Sequence, residues 1–317
     1  MNIQRWISRR EPNWQRLDAL LRQVEKKGIK SLQAGEIREL ASLYRSVAAD
    51  LARAQTHKVG NTLTQSLHFL TTRAYTQIYQ GSRRQEWQAV VEFYSWGLPA
   101  VVQQTFLYIA TATATFLLGA LIAWWYAWQD PTFISLLVPE SLISQVRDEH
   151  KLWMGSIVGI EPLASSNITI NNLSVSFGAI AGGMTAGIYT TFLLFFNGLL
   201  IGALATLVSQ NNLAYPFWAF VFPHGSLELP AIFFAGGAGF LLARAILFPG
   251  KYRRRDALQF YGSLAVQLLF GIIPMLIIAG TIEGFISPNP SISSTFKYLL
   301  GMSLFVFLLV YSSRKRA

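Results

Sequence analysis

Between Glu161 and Glu228 lie 66 consecutive residues without a single Asp, Glu, Lys or Arg. As one helix they would reach ~99 Å at ~1.5 Å per residue, about three times the ~30 Å hydrocarbon core of a bilayer. The stretch must therefore fold back on itself in an apolar medium, which places the chain in a membrane.

Residues 93–129 are also uncharged, and Phe106 to Trp125 within them is long enough for a first span. Further apolar runs occupy 230–248, 257–281 and 292–312. Breaks in the long stretch are expected at Asn197-Gly198 and at Gln210-Asn211-Asn212, where Pro216 follows. Three crossings between residues 171 and 251 give an all-α fold, a polytopic bundle of about six spans, some broken or re-entrant. A single span plus a re-entrant hairpin is the alternative, because 197–208 is too short to cross unless it continues to Phe222.

Charge divides the chain. Only 13% of its residues are charged, against ~25% in a soluble domain, yet residues 1–97 hold 15 of the 26 Lys+Arg and 8 of the 16 Asp+Glu. The expected domains are a soluble helical part, 1–97, and a transmembrane part, 98–317. In the first, Trp14, Leu17, Leu20/Leu21 and Val24 form one stripe at helical spacing. Ile37, Leu40, Leu43/Tyr44, Val47 and Leu51 form a second, and Leu63, Leu67, Leu70, Ala74 and Ile78 a third. Breaks at Gly28-Ile29-Lys30-Ser31, Gly60-Asn61 and Gly81-Ser82 leave three amphipathic helices in a small bundle. His57 and His68 have no second ligand at metal spacing and read as structural or exposed. No apolar run precedes the first span, so no cleaved signal peptide is expected. The absence of cysteine excludes disulfides and thiolate metal sites.

The net charge of +10 does not point to nucleic acid, because the late basic residues cluster at the ends of apolar runs. Lys251, Arg253, Arg254 and Arg255, the Arg314-Lys315-Arg316 tail and the N-terminal part should share the cytoplasmic side of the cell's inner membrane, with both termini inside. Residues 129–171 carry Arg147 and Lys151 against Asp130, Glu140, Asp148, Glu149 and Glu161, and should lie outside. Trp124, Trp125, Tyr126 and Trp128 read as an interfacial belt, and 131–158 as an amphipathic segment on the outer leaflet.

Gly178, Gly182, Gly183, Gly187, Gly198 and Gly202 recur at small-xxx-small spacing, which lets helix backbones approach closely in lipid. Gly236-Gly237-Ala238-Gly239 reads the same way. Asn171, Asn172 and Asn197 should face protein or water and bond across helices. The densest polar signal is Pro223-His224-Gly225-Ser226-Leu227-Glu228-Leu229-Pro230. A helix starting near Ser226 as N-cap would tolerate Pro230 and set Glu228 at its positive end. Alternatively, His224 and Glu228 are four apart and, with Glu283 at the outer end of the fifth span, could hold a divalent metal. The first expectation is a structural or partner-binding network of Asn172, Asn197, His224, Glu228 and Glu283, with no catalytic residue and no cofactor.

Asn171-Asn172 through Phe177, the glycines of 182–187, Phe196-Asn197-Gly198, Pro223-His224-Gly225 with Glu228, and Glu283 to Pro288 strongly resemble the core of the stage II sporulation protein M family. The N-terminal part resembles the wider family's extension through Pro12 and Trp14, Leu43-Tyr44-Arg45 with Asp50-Leu51, and Arg73-Ala74 with Ile78-Tyr79. The resemblance implies an integral membrane protein without established enzymatic activity. The family's namesake is a scaffold that holds two peptidoglycan-degrading partners at the septal membrane during engulfment. Here the expectation is a polytopic scaffold in lipid, a homodimer, recruiting protein partners that include peptidoglycan-remodelling ones. The alternatives are a metal-dependent hydrolase using His224, Glu228 and Glu283, and a small-solute transporter with its site near Asn197 and Pro223.

Overall fold

The computed structural model describes residues 3–57, 59–80, 83–157 and 159–315, and among them every regular element is helical. The chain divides into two units after Glu92, so 93–97 belong to the membrane unit, where Phe93 packs against the core.

In the first unit α1 (Ile3–Lys27), α2 (Ala34–Thr56) and α3 (Asn61–Tyr75) are followed by α4 (Arg83–Glu92). Trp14, Leu17, Leu20, Leu21 and Val24 of α1 are all buried, against Leu40 and Val47 of α2 and Leu67, Leu70 and Ala74 of α3. Ile37, in the first turn of α2, is exposed instead. The expected break at Gly81-Ser82 and the tail residue Arg316 lie outside the described residues. Ion pairs tie the helices together. Asp50 is fully buried and accepts from Arg10 Nε (2.8 Å) and Trp14 Nε1 (3.0 Å). Arg73 bridges Glu25 (2.8 Å) and Asp18 (2.6 Å), joining α3 to α1. Burial pushes the Asp18 carboxyl up, but its bonds to Arg73 and Arg22 prevail and hold it below the ordinary value.

The second unit opens with α5 (Leu98–Gln104) and α6 (Phe106–Gln129), then α7 (Glu140–Arg147) and α8 (Glu161–Ala181). It closes with α9 (Ile188–Gln210), α10 (Ala214–Leu247), α11 (Arg254–Phe285) and α12 (Ser294–Ser312). Helices α6, α9, α10, α11 and α12 are long and apolar enough to cross a membrane. The more polar α8 runs antiparallel to α11: Gly284 meets Ser165 and Gly280 meets Thr169. Three helices, α8, α9 and α10, thus traverse the bundle between residues 161 and 247, and no re-entrant hairpin occurs among the described residues. One end of the bundle collects Lys251, Arg253–255 and Arg314, and the other collects the acidic 130–161 connection. We call these the basic and acidic ends.

Asn197-Gly198 is not a break. Helix α9 runs through it, and the chain reverses earlier, where Gly182–Thr185 forms a 3₁₀ turn and Ala186 (φ 56°) and Gly187 (φ 83°) are left-handed. Gly198 serves contact instead: a Cβ there would overlap the Phe116 carbonyl oxygen, and one on Gly202 that of Ala120. Gly119 meets the Phe195 carbonyl in return, so α6 and α9 lie side by side and parallel. Gly183 and Gly239 bring α8, its turn and α10 equally close. The expected break at Gln210-Asn211-Asn212 is where α9 ends.

Helix α10 contains both Pro223 and Pro230 without interruption, contrary to a start at Ser226. The Ser226 hydroxyl donates back to the Pro223 carbonyl (3.0 Å) and caps nothing. In lipid, opening the helix would strand several backbone groups, whereas a proline frees one carbonyl that neighbours can accommodate. The 131–158 segment also differs from expectation. Its apolar residues Ile134, Val138, Ile143, Val146 and Met154 are buried against Ala123, Ala127, Leu207, Val208 and Phe217. It caps the acidic end of the bundle and turns that face to protein, not lipid. Trp124, Trp125, Tyr126 and Trp128 stay exposed at the end of α6, as an interfacial belt requires.

Gly198→Val should force α6 and α9 apart, costing ~1–3 kcal/mol of overpacking strain, and should lower the melting temperature in detergent. Gly178→Ala meets only side chains, Leu193 at 3.2 Å and Tyr189 at 3.8 Å, and should be nearly neutral. Because the Asp18 carboxyl is depressed in the fold, its contribution is complete above the ordinary carboxylate range and lost as pH falls through the depressed value. Protection of the α1 and α3 amides, taken relative to the intrinsic exchange rate at each pH, should therefore fall at acid pH, and less steeply in Arg73→Ala.

Candidate functional site

His224 and Glu228 are one turn apart on α10, so both side chains leave the same face. At ~1.5 Å per residue they lie ~15 and ~21 Å from the acidic end of that helix. Glu283 approaches from the last turn of antiparallel α11, with its Oε2 3.8 Å from His224 Nε2. One ligand-type atom from each of the three lies within 4.8 Å of the others. Because α10 is continuous, Glu228 sits mid-helix and gains nothing from a helix N-terminus.

Two of the three members have a further polar neighbour. His224 Nδ1 lies 3.1 Å from Ser287 Oγ, and both residues are buried. Asn172 of α8 lines the same wall as Glu228, with its amide toward the carboxylate. Lys297, in the first turn of α12, is buried with its ammonium on the carbonyls of Ser287 (2.7 Å) and Asn289 (3.0 Å). It fixes the loop that carries Ser287. The sequence reading gave Lys297 no role, although it is the one charged residue between Glu283 and Arg314. A lone charge inside an apolar run was the available signal.

The cluster lines a cavity of about 470 Å³ between α8, α9, α10 and α11. Asn167, Asn171 and Asn172 supply polar walls, while Phe217, Trp218, Phe220 and Val221 supply apolar ones. Trp153 and Met154 reach it from the capping segment. Asn197 is elsewhere. Its amide donates to the Leu193 carbonyl one turn back (2.8 Å), so it bonds within its own helix and not across helices. The glycines at 178, 182, 183, 187, 198 and 202 likewise form packing seams away from the cavity. His57 and His68 are exposed in the first unit.

Residues 112–288 match the family described as Stage II sporulation protein M, more than half of the chain. The chain belongs to that family. The matched span begins in α6 and ends just beyond Ser287, so it includes His224, Glu228 and Glu283 but stops short of Lys297. Residues 4–80 match a second family, described only as a domain of unknown function, which covers α1 to α3. An uncharacterized protein of Methanocaldococcus jannaschii is 31% identical over 127 residues, spanning 39% of this chain and 70% of that protein. No solved structure matches this chain. As a stage II sporulation protein M family member with five apolar helices long enough to cross, it is a membrane protein.

Lys297→Met should release the Ser287 and Asn289 carbonyls, at ~1–3 kcal/mol for bonds to a charged group. Hydrogen exchange across 286–292 should rise while exchange in α6 and α9 stays as in the parent.

Proposed function

We propose that the protein is a non-enzymatic scaffold of the stage II sporulation protein M type, multi-pass in the cytoplasmic membrane. In this reading the N-terminal helices recruit partners on the cytoplasmic side, the bundle anchors the assembly in lipid, and the chain acts as a homodimer. Partners that remodel peptidoglycan would meet the acidic end, which faces out of the cell. The observation that carries the reading is the separate core of the first unit. Anchoring needs the bundle alone, so a polar helical unit with its own core calls for another task. That unit leaves Phe69, Tyr75, Tyr79 and Trp87 exposed, the residue types enriched where proteins meet. Basic residues gathered at one end of the bundle support the orientation.

The transporter alternative loses its footing, because the helices expected to break at Asn197 and Pro223 are continuous. The cavity beside His224, Glu228 and Glu283 favours the metal-dependent hydrolase as the second reading.

A photo-crosslinker placed at Tyr79 or Trp87 in native membranes should capture the same protein partner from both positions. A crosslinker at exposed Leu163 of the membrane unit should not capture it. Capture of lipid alone from Tyr79 and Trp87 would remove the recruiting role, and a monomeric mass in nanodiscs would remove the homodimer.

A further inference from the structure

Two carboxylates and an imidazole converge in the wall of the cavity with no ammonium or guanidinium among them. The nearby cation, Lys297, directs its ammonium to the Ser287 and Asn289 carbonyls. Burying two ionised acids side by side is costly unless protons or a cation neutralise them, and a cation reaching the cluster through the cavity would displace those protons.

The details of the cluster suit one kind of positive charge. His224 is 5% exposed, its Nδ1 lies 3.1 Å from Ser287 Oγ and its Nε2 faces Glu283; the tautomer protonated on Nδ1 would donate to Ser287 and present the Nε2 lone pair to an ion. Metal-binding histidines are held in this way, one nitrogen on a hydrogen-bond partner and the other on the ion. Asn172 stands beside Glu228 on the cavity wall, placed to orient its carboxylate in the same manner. Bonds of about 2.0–2.2 Å set the ligand atoms of a tetrahedral ion roughly 3.2–3.6 Å apart. From the 3.8 Å between His224 and Glu283 the pair needs roughly half an ångström of closure, and from the 4.8 Å limit the triad needs at most about 1.6 Å, within reach of side-chain rotation. Four-residue spacing on one helix and a third ligand from an antiparallel neighbour fix the three donors on rigid elements.

We propose that His224, Glu228 and Glu283 form a binding site for a divalent first-row metal ion of the zinc class. The ion neutralises the two carboxylates and keeps one coordination position open to the cavity, where a water occupies it. One nitrogen and two oxygen donors match zinc better than calcium, which takes six to eight oxygens. The site does not depend on the scaffold reading, since a structural ion and a reactive one would bind the same three side chains.

The full-length protein in detergent, stripped with a chelator and dialysed, is titrated with Zn²⁺ by calorimetry and with Co²⁺ as a spectroscopic substitute. One ion per chain is expected, with a Co²⁺ absorption spectrum of low coordination number and a melting temperature that rises with Zn²⁺. Glu283→Gln and Glu228→Gln keep the side-chain shape and should abolish both the stoichiometric binding and the thermal shift. Asn172→Ala should weaken binding about tenfold, and Asn197→Ala should leave it unchanged. Gel filtration and the metal-free melting temperature establish that each variant is folded. Wild-type protein that takes up no stoichiometric zinc overturns the proposal. So does zinc binding that survives in folded Glu283→Gln and Glu228→Gln, because the ion is then held elsewhere.

Discussion

The membrane unit depends on helix backbones that touch. Where α6 meets α9, and where α8 meets α10, carbonyl oxygens lie against glycine Cα positions with no room for a Cβ. In lipid this matters more than in water, since apolar side chains gain little by leaving acyl tails and attraction comes from close packing. The contacts also fix direction. Gly198 beside Phe116 and Gly202 beside Ala120 allow only a parallel α6 and α9, so α8 must return between them. From that one pairing the alternation of all six helices follows.

At the centre stands α10, whose Gly236, Gly237 and Gly239 admit α6, α8 and α9 to its surface. It is the most buried of the apolar helices, and the face carrying His224 and Glu228 is turned to protein and the cavity. They are accommodated together, against Glu283, Ser287 and Asn172, and space remains beside them. Glycine contacts draw the helices together along the length of the bundle, and the bulky Phe217, Trp218 and Phe220 line the cavity on its acidic side. The cavity opens where the helices are held apart by those rings. The capping segment buries its own apolar face over the same end, and its Trp153 and Met154 line the cavity.

Much of this was legible in the residues. The apolar runs, the alternation of charge and the stripes of α1 to α3 rest on periodicities of 3.6 and on bilayer thickness, which are local quantities. The spacing of His224 and Glu228 was legible for the same reason. What misled were residues whose local preference loses to context. Asn197-Gly198 and the prolines of α10 are breakers in water, but in lipid an interrupted helix leaves backbone groups without partners. The amphipathic 131–158 segment offered a face for burial without specifying whether lipid or protein would cover it. Asp50 and Lys297 show the same gap: a charge flanked by apolar residues signals burial, but its partners lie 40 residues away in one case and on a separate loop in the other.

The sequence by itself determined that this is a helical membrane protein with a polar N-terminal unit, and it named the family through its polar and glycine motifs. Hydrophobic length and charge distribution suffice for that, because each is set by the solvent a segment meets. Only the tertiary structure decided that Glu283 joins His224 and Glu228 while Asn197 does not. Those distances depend on which helices run side by side, and that is fixed by backbone contacts between residues remote in the chain.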